Sequence, residues 1–191
     1  MELESKSITL ELTGTSDIMF DRFYGQEKDT RPPEQKFYLV EENKIVLPTE
    51  NLYSFLFGEN PQGAAKTEGK KGKEYIRMGY SHVGIKPSDH ICFKRDGKDI
   101  IYKGFEGNED NYYISEFSPR TKMSSGPNSI KQNLKRRPVL REGWTLEFTV
   151  SIFKNPLITV DKMVNWFTEG GVLIGLGTYR PRFGRFSVRI V

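Results

Sequence analysis

The chain has 191 residues, of which 36% are hydrophobic and 13% aromatic, and this composition excludes a disordered protein and predicts a folded domain with a buried core. Its single cysteine, Cys92, excludes an internal disulfide, and two histidines with one cysteine cannot form the usual structural zinc site. The net charge of +4 is weak evidence for a polyanionic partner, and the lack of a long apolar run or a signal-like start predicts a cytoplasmic protein without a membrane segment.

Four elements are predicted in the first third of the chain: a half-buried strand at 7–13, a long irregular loop at 17–33, a hairpin at 36–47 and a short helix at 51–57. The strand is indicated by Ile8, Leu10 and Leu12, which alternate with polar residues. Thr49 precedes the helical pattern and is its predicted N-cap.

The middle of the chain is predicted to hold several strands between two flexible insertions. The first insertion, at about 58–74, is rich in Gly, Lys and Ala, and the second, at about 118–137, contains Ser, Gly, Pro, Asn, Lys and Arg and shows no apolar period. The predicted strands are 75–80, 81–86, 90–95, 98–102 and 112–117. Asp96-Gly97, with apolar residues on both sides, predicts a tight hairpin turn.

The clearest patterns lie near the C-terminus. Residues 144–152 alternate strictly, with large apolar side chains on one face, and predict a strand. A helix is predicted over 160–169, capped by Thr159 and ended by Gly170-Gly171. Residues 186–191 are predicted to form a closing strand.

The order of these elements predicts one α+β domain over residues 1–191. Helices that follow strands over an antiparallel sheet favour a ferredoxin-like or RNA-recognition-type fold, here with two helices and two inserted loop regions.

The segment between the last helix and the last strand combines glycines with arginines. Its candidate nucleic-acid-binding residues are Gly175, Gly177, Arg180, Arg182, Gly184 and Arg185. Glycines allow positive φ and close approach of a ligand, consecutive N–H groups can bind an anion, and guanidinium groups match phosphate. The alternative interpretation is a turn whose glycines only let a strand pack beneath a helix.

A second basic cluster precedes the strand at 144–152. It consists of Lys131, Lys135, Arg136 and Arg137. Two interpretations remain open, a solvated loop and a nucleic-acid contact.

The C-terminal third resembles the RAMP superfamily, the repeat-associated proteins that form backbone and processing subunits of CRISPR effector complexes. The matching features are the aromatic-rich strand within 141–151, the helix that follows, and a glycine-rich loop that ends in Phe183-Gly184-Arg185-Phe186. A second match, at 45–56, occupies the place of the family's strand, Pro-Gly-Ser-Ser and helix, with Thr49-Glu50-Asn51 in place of the small residues.

The resemblance implies an RNA-binding subunit of a ribonucleoprotein that serves antiviral defence, in contact with other subunits or with copies of itself. It implies that no cofactor is required, and that a long insertion at the second basic cluster crosses the guide or contacts a neighbour. A single-stranded DNA-binding protein of a phage or mobile element on the same fold is a further alternative.

The resemblance also brings two catalytic alternatives. Some backbone subunits cut RNA with an aspartate in the loop after the first strand and a divalent metal, which points here to Asp29, beside Asp17 and Asp21. Processing endoribonucleases use a histidine as general acid–base, which points to His82 or His90. The alternative for the aspartates is an ordinary acidic surface loop, and for the histidines a structural role in a strand.

Overall fold

The computed structural model describes residues 4–22, 31–59, 62–117 and 135–191. Its strands are β1 Ser5–Gly14, β2 Ile18–Met19, β3 Leu39–Val40, β4 Lys44–Pro48, β5 Val83–Lys86, β6 His90–Cys92, β7 Lys94–Arg95, β8 Lys98–Asp99, β9 Tyr112–Phe117, β10 Lys135–Leu140, β11 Thr145–Phe153 and β12 Phe186–Ile190. Its helices are α1 Thr49–Phe57, α2 Gly72–His82 and α3 Val160–Leu173, with 3₁₀ turns at Pro33–Lys36, Glu41–Asn43 and Ala64–Lys71. Among the described helices, none is long and apolar enough to cross a membrane.

The main sheet places β12, β1, β11 and β5 side by side, and every pair is antiparallel. Taking β1, β5, β11 and β12 as the four strands of a βαββαβ unit, the spatial order is fourth, first, third, second. This order is that of a ferredoxin-like sheet, so the predicted α+β class is confirmed. The short β7–β8 hairpin extends β11 beyond the end of β5, and its turn at Asp96-Gly97 is the predicted one.

Strict alternation sorts the residues of the two central strands between two faces. β1 and β11 pair along their length, from Ser5 opposite Phe153 to Thr13 opposite Thr145. Leu10 and Phe148 lie on the buried face, and Phe148 meets Phe167 of α3 at 5.4 Å between ring centroids. The other face is mainly a ladder of hydroxyls and carboxylates, and its one ring, Phe153, lies at the end of β11 opposite Ser5. The centre of β1 and β11 therefore lacks the aromatic stacking surface of an RNA-recognition domain.

Helix α3 is longer than its two glycines predict. It continues through Gly170-Gly171 to Leu173 because both glycines are packing positions inside the helix. A Cβ on Gly170 would lie 2.6 Å from Cζ of Phe55, and one on Gly171 would lie 2.5 Å from the carbonyl oxygen of Phe186. The helix therefore passes close to α1 and β12 only because these side chains are missing. Its predicted N-cap is confirmed, since Thr159 accepts a hydrogen bond from the Lys162 amide.

The predicted insertion at 58–74 and the predicted strand at 75–80 are corrected. Where described, this region is mostly helical, with the 3₁₀ turn Ala64–Lys71 followed by α2. Tyr75, Ile76 and Gly79 form the buried face of α2, which is helical spacing. The described residues therefore form three α-helices instead of the predicted two, and His82 ends a helix instead of lying in a strand.

The second predicted insertion, at 118–137, lies outside the described residues up to position 134. Its last three residues belong to β10, which pairs with β9 on one side and β2 on the other. Lys135, Arg136 and Arg137 are therefore strand residues. Lys135 and Arg136 are exposed and Arg137 is buried, so the three cations lie in different environments.

Candidate nucleic-acid interface

The glycine-rich segment at 174–185 is fixed to the chain that follows β1. The amide of Gly184 donates to the carbonyl of Asp17 at 2.7 Å, and the amide of Thr178 donates to the carbonyl of Met19 at 2.9 Å. Within the segment, the amide of Leu176 donates to the carbonyl of Gly184 at 2.9 Å. These bonds hold the segment, here called the C-terminal loop, against the end of the sheet.

The three candidate glycines are needed for this close packing. All three have positive φ, between 74° and 78°. A Cβ on Gly177 would lie 2.5 Å from the carbonyl oxygen of Met19, and one on Gly184 would fall on the carbonyl of Leu176. The amides of Gly175 and Gly184 already donate to protein carbonyls, so these two N–H groups do not contribute to the predicted anion-binding cradle.

The three arginines of the C-terminal loop differ in exposure. Arg182 and Arg185 are exposed, and Arg182 lies 5.9 Å from the centre of the Phe183 ring. Arg180 is half-buried, and it donates to the carbonyl of Gly175 at 3.2 Å. Burial lowers the pKa of Arg180, although a guanidinium keeps its charge at physiological pH. The loop thus presents two exposed cations, Arg182 and Arg185, and one half-buried cation, Arg180.

Arg180 lines a cleft of about 450 Å³ between α1, the chain after β1 and the C-terminal loop. Its lining residues are Met19, Phe20, Asp21, Tyr38, Leu47, Asn51, Ser54, Gly177, Thr178, Tyr179 and Arg180. The volume is that of a small-molecule or single-nucleotide site.

Three half-buried polar side chains of the cleft lack a partner. Asn51 and Ser54, one turn apart on α1, and Thr178 of the C-terminal loop make no side-chain hydrogen bond within the described residues. Half-buried amides and hydroxyls are normally paired with protein, water or a ligand. Arg180 and these side chains together offer donors and acceptors for a polar, anionic ligand.

Sequence reasoning missed these polar cleft residues. The only available signal was the resemblance at 45–56, which placed Thr49-Glu50-Asn51 at the start of a helix. Thr49, the predicted N-cap, is instead the first residue of α1, and its buried hydroxyl donates to the carbonyl of Pro87 at 2.8 Å. The side chains of α1 that line the cleft are those of Asn51 and Ser54.

The second basic cluster is largely neutralised. Nε of Arg137 lies 2.7 Å from Oδ1 of Asp21, and the Arg137 side chain is only 10% exposed. Arg136 pairs with Glu116 at 2.8 Å. Lys135 is exposed, and Lys131 lies outside the described residues. The predicted cluster of four cations therefore contributes one described exposed lysine without a carboxylate partner.

The two described aspartates of the predicted catalytic loop have structural partners. Asp17 accepts hydrogen bonds from the Tyr113 hydroxyl at 2.8 Å and from the Glu142 amide at 2.9 Å. Burial, and then the bond to Asp17, raise the pKa of Tyr113 to about 12. Asp21 holds Arg137 and Lys36. Asp29 lies outside the described residues, and the part of the chain that is described contains no group of three metal-ligating side chains.

The two candidate histidines stand away from the cleft lining. Nδ1 of His82 lies 2.7 Å from the hydroxyl of the neighbouring Ser81. Nδ1 of His90, at the start of β6, lies 2.9 Å from Oδ2 of Asp89, and the backbone amide of His90 lowers the pKa of that carboxyl. Each ring is paired with an adjacent residue, and neither reaches the residues that line the cleft.

No family model and no curated protein matches the sequence. Among solved structures, the chain is similar to one in a cryo-EM structure of the Type III-B Cmr-beta bound to cognate target RNA, with a TM-score of 0.60 and 11% sequence identity. The match covers 98% of this chain and 60% of that chain. The likeness is one of fold.

Proposed function

We propose that the protein binds single-stranded RNA in the cleft between α1 and the C-terminal loop, as an RNA-binding subunit of a CRISPR-type effector ribonucleoprotein. The observation that carries the proposal is the convergence of Arg180 with three unpartnered polar side chains on a cleft of nucleotide size. The similarity of the fold to a chain of an assembly bound to RNA supports it.

In this proposal the cationic side chains bind the phosphate backbone. Arg180 contacts a phosphate at the cleft, while the exposed Arg182 and Arg185 contact its neighbours along the strand. Such contacts fix the position of the strand without reading its sequence. Gly175, Gly177 and Gly184 contribute by holding the loop in shape.

The polar side chains of the cleft would bind the nucleoside. The Asn51 amide and the hydroxyls of Ser54 and Thr178 can pair with a ribose 2′-hydroxyl or with a base edge, and the half-exposed ring of Tyr179 can meet a base face. A 2′-hydroxyl is both donor and acceptor, so these side chains give a basis for preferring RNA to DNA.

The test compares cleft variants with a distant control. We expect Arg180→Gln and Asn51→Ala to weaken binding of a fluorescent single-stranded oligoribonucleotide about 10-fold or more, because each removes a half-buried hydrogen-bonding group. Asn165→Ala, an amide deletion at an exposed position of α3, should bind as the wild type does. Fluorescence anisotropy at several salt concentrations measures the affinities.

Two results would contradict the proposal. One is equal RNA affinity of the wild type and both cleft variants, with all proteins folded by circular dichroism. The other is purification of the protein from its host with neither RNA nor other proteins bound, since a ribonucleoprotein subunit should bring both.

A further inference from the structure

The outer surface of helix α2 is basic and carries an exposed aromatic ring. The buried side of the helix is formed by Tyr75, Ile76 and Gly79. Lys73, Arg77 and Tyr80 are exposed and spaced by four and three residues, which aligns them on one face of the helix. These three residues are here called the α2 stripe.

The charge of this stripe is only partly balanced by nearby acids, of which the exposed Glu74 lies on the same helix. In the part of the chain that the structure describes, neither Lys73 nor Arg77 makes an ion pair. Residues 66–82 contain five Lys or Arg and two Glu, and Glu68 is already paired with Lys162 of α3 at 3.1 Å. A positive surface of this kind attracts a polyanion.

The ring of Tyr80 is held in place yet open on one side. It is 58% exposed and stacks on Tyr53 of α1, with ring centroids 6.4 Å apart and planes inclined by 13°. Phe57 contacts it at 5.6 Å. The Tyr53 hydroxyl is itself fixed, since it donates to the carbonyl of Val83 and accepts from the amide of Ile85.

The combination favours one class of ligand. An acidic protein segment would be attracted by Lys73 and Arg77 but has no need of a planar, solvent-facing ring. Single-stranded nucleic acid uses both features, because its phosphates pair with cations while its bases stack on aromatic side chains.

We propose that the α2 stripe is a second contact surface for single-stranded RNA, in which Lys73 and Arg77 bind phosphates and Tyr80 stacks on a base. Helix α1 lies between the two surfaces, with Asn51 and Ser54 lining the cleft and Tyr53 supporting Tyr80. A strand that leaves the cleft across α1 meets the α2 stripe. The choice of RNA as the ligand rests on the proposed function.

The test uses two lengths of oligo-uridylate, one of about 5 and one of about 15 nucleotides, which span the range of single-strand site sizes. The double variant Lys73→Gln/Arg77→Gln should bind the longer oligomer about 10-fold more weakly, and the slope of log affinity against log salt should fall by about 1.4 for two lost phosphate contacts. Tyr80→Ala should lose about 5-fold or more while Tyr80→Phe retains binding. The short oligomer, which is expected to occupy only the cleft and the adjacent C-terminal loop, should bind all these variants equally.

The control is Lys98→Gln/Lys103→Gln, which removes the same charge from exposed positions elsewhere. If this control weakens the longer oligomer as much as the α2 double variant does, or if neither α2 variant changes its binding, the proposal is wrong. Equal competition by polyglutamate and RNA, with Tyr80→Ala without effect, would overturn the assignment to nucleic acid. A separate result would contradict the proposed RNA site in the cleft. That result is unchanged binding of the short oligomer by the Arg180→Gln variant.

Discussion

Gly184 and Gly97 form a matched pair that separates backbone strain from steric packing. Their φ angles are 78° and 74°, so an alanine meets the same left-handed backbone at both positions. The space around them differs. A Cβ on Gly97 has nothing within 4 Å, whereas one on Gly184 would fall on the carbonyl of Leu176. The perturbation is Gly184→Ala, with Gly97→Ala as its control.

The expected loss in the free energy of unfolding has one contribution from backbone strain and one from steric packing. At Gly97 the left-handed conformation costs alanine about 1–2 kcal/mol, partly offset by about 0.4–1 kcal/mol from the stiffer unfolded chain, so the net loss is about 1 kcal/mol. At Gly184 the same term applies, and the loop must also open. Loss of the bond from the Leu176 amide and overpacking of the site together bring the total loss to about 3–5 kcal/mol.

Thermal and urea unfolding measure the difference. For a chain of this size a loss of 1 kcal/mol lowers Tm by about 2–4 °C, so Gly184→Ala should melt at least about 6 °C below the wild type and Gly97→Ala only a few degrees below it. Equal melting temperatures for the two variants would refute the argument that the C-terminal loop is packed through its glycines. RNA affinity at a temperature where both are folded provides a second comparison.

Two further predictions concern side-chain hydrogen bonds. The Trp166 indole, and then Lys162, lower the pKa of Glu68, so the stabilisation from its carboxylate is fully present above the ordinary Glu range and is lost as pH falls through the lowered pKa. Glu68→Gln should cost about 1 kcal/mol at pH 7, and urea unfolding should show this cost shrinking as the pH is lowered. Tyr113→Phe should likewise cost about 1 kcal/mol, through the bond to Asp17. Since the pKa of Tyr113 is raised to about 12, that loss should stay constant up to about pH 10 and change only above it.

The frame of the main sheet could be predicted from local patterns. The strands β1 and β11 each alternate over many residues, and α3 has both an apolar face and a capping threonine, so short-range chemistry identified them. The pairing of β1 with β11 could not be predicted from such local patterns. The register that sets Ser5 opposite Phe153 joins positions far apart in the chain, and only the shared burial of both strands selects it.

Helix α2 was missed because its first residues were assigned to a glycine-rich insertion and residues 75–80 to a strand. Gly79 lies inside α2, and a Cβ there would enter the ring of Phe57, so the glycine is a packing position between α1 and α2. At Gly170-Gly171 the two glycines were interpreted as a helix end, which made the predicted α3 too short. A glycine in a helical pattern therefore has two interpretations, an end or a close helix contact, and the residue that decides between them is distant in sequence.

The cleft could not be predicted completely from the sequence, for the same reason. The arginines of the C-terminal loop could be recognised by their type, but the residues that complete the site with them come from α1, more than a hundred positions earlier. Arg137 illustrates the opposite mistake. It belongs to a run of cations that indicates a basic surface, yet its partner Asp21 is remote in sequence and removes its charge from that surface.

The structure divides the C-terminal loop into residues that build it and residues that can bind. Gly177 and Gly184 use positive φ for contacts with the backbone at Met19 and Leu176, so their substitution should change folding and binding together. Arg182 and Arg185 are exposed and can be replaced without disturbing those contacts. Arginine variants therefore test the proposed RNA contact directly, because weaker binding at unchanged Tm would separate the charge of the loop from its shape.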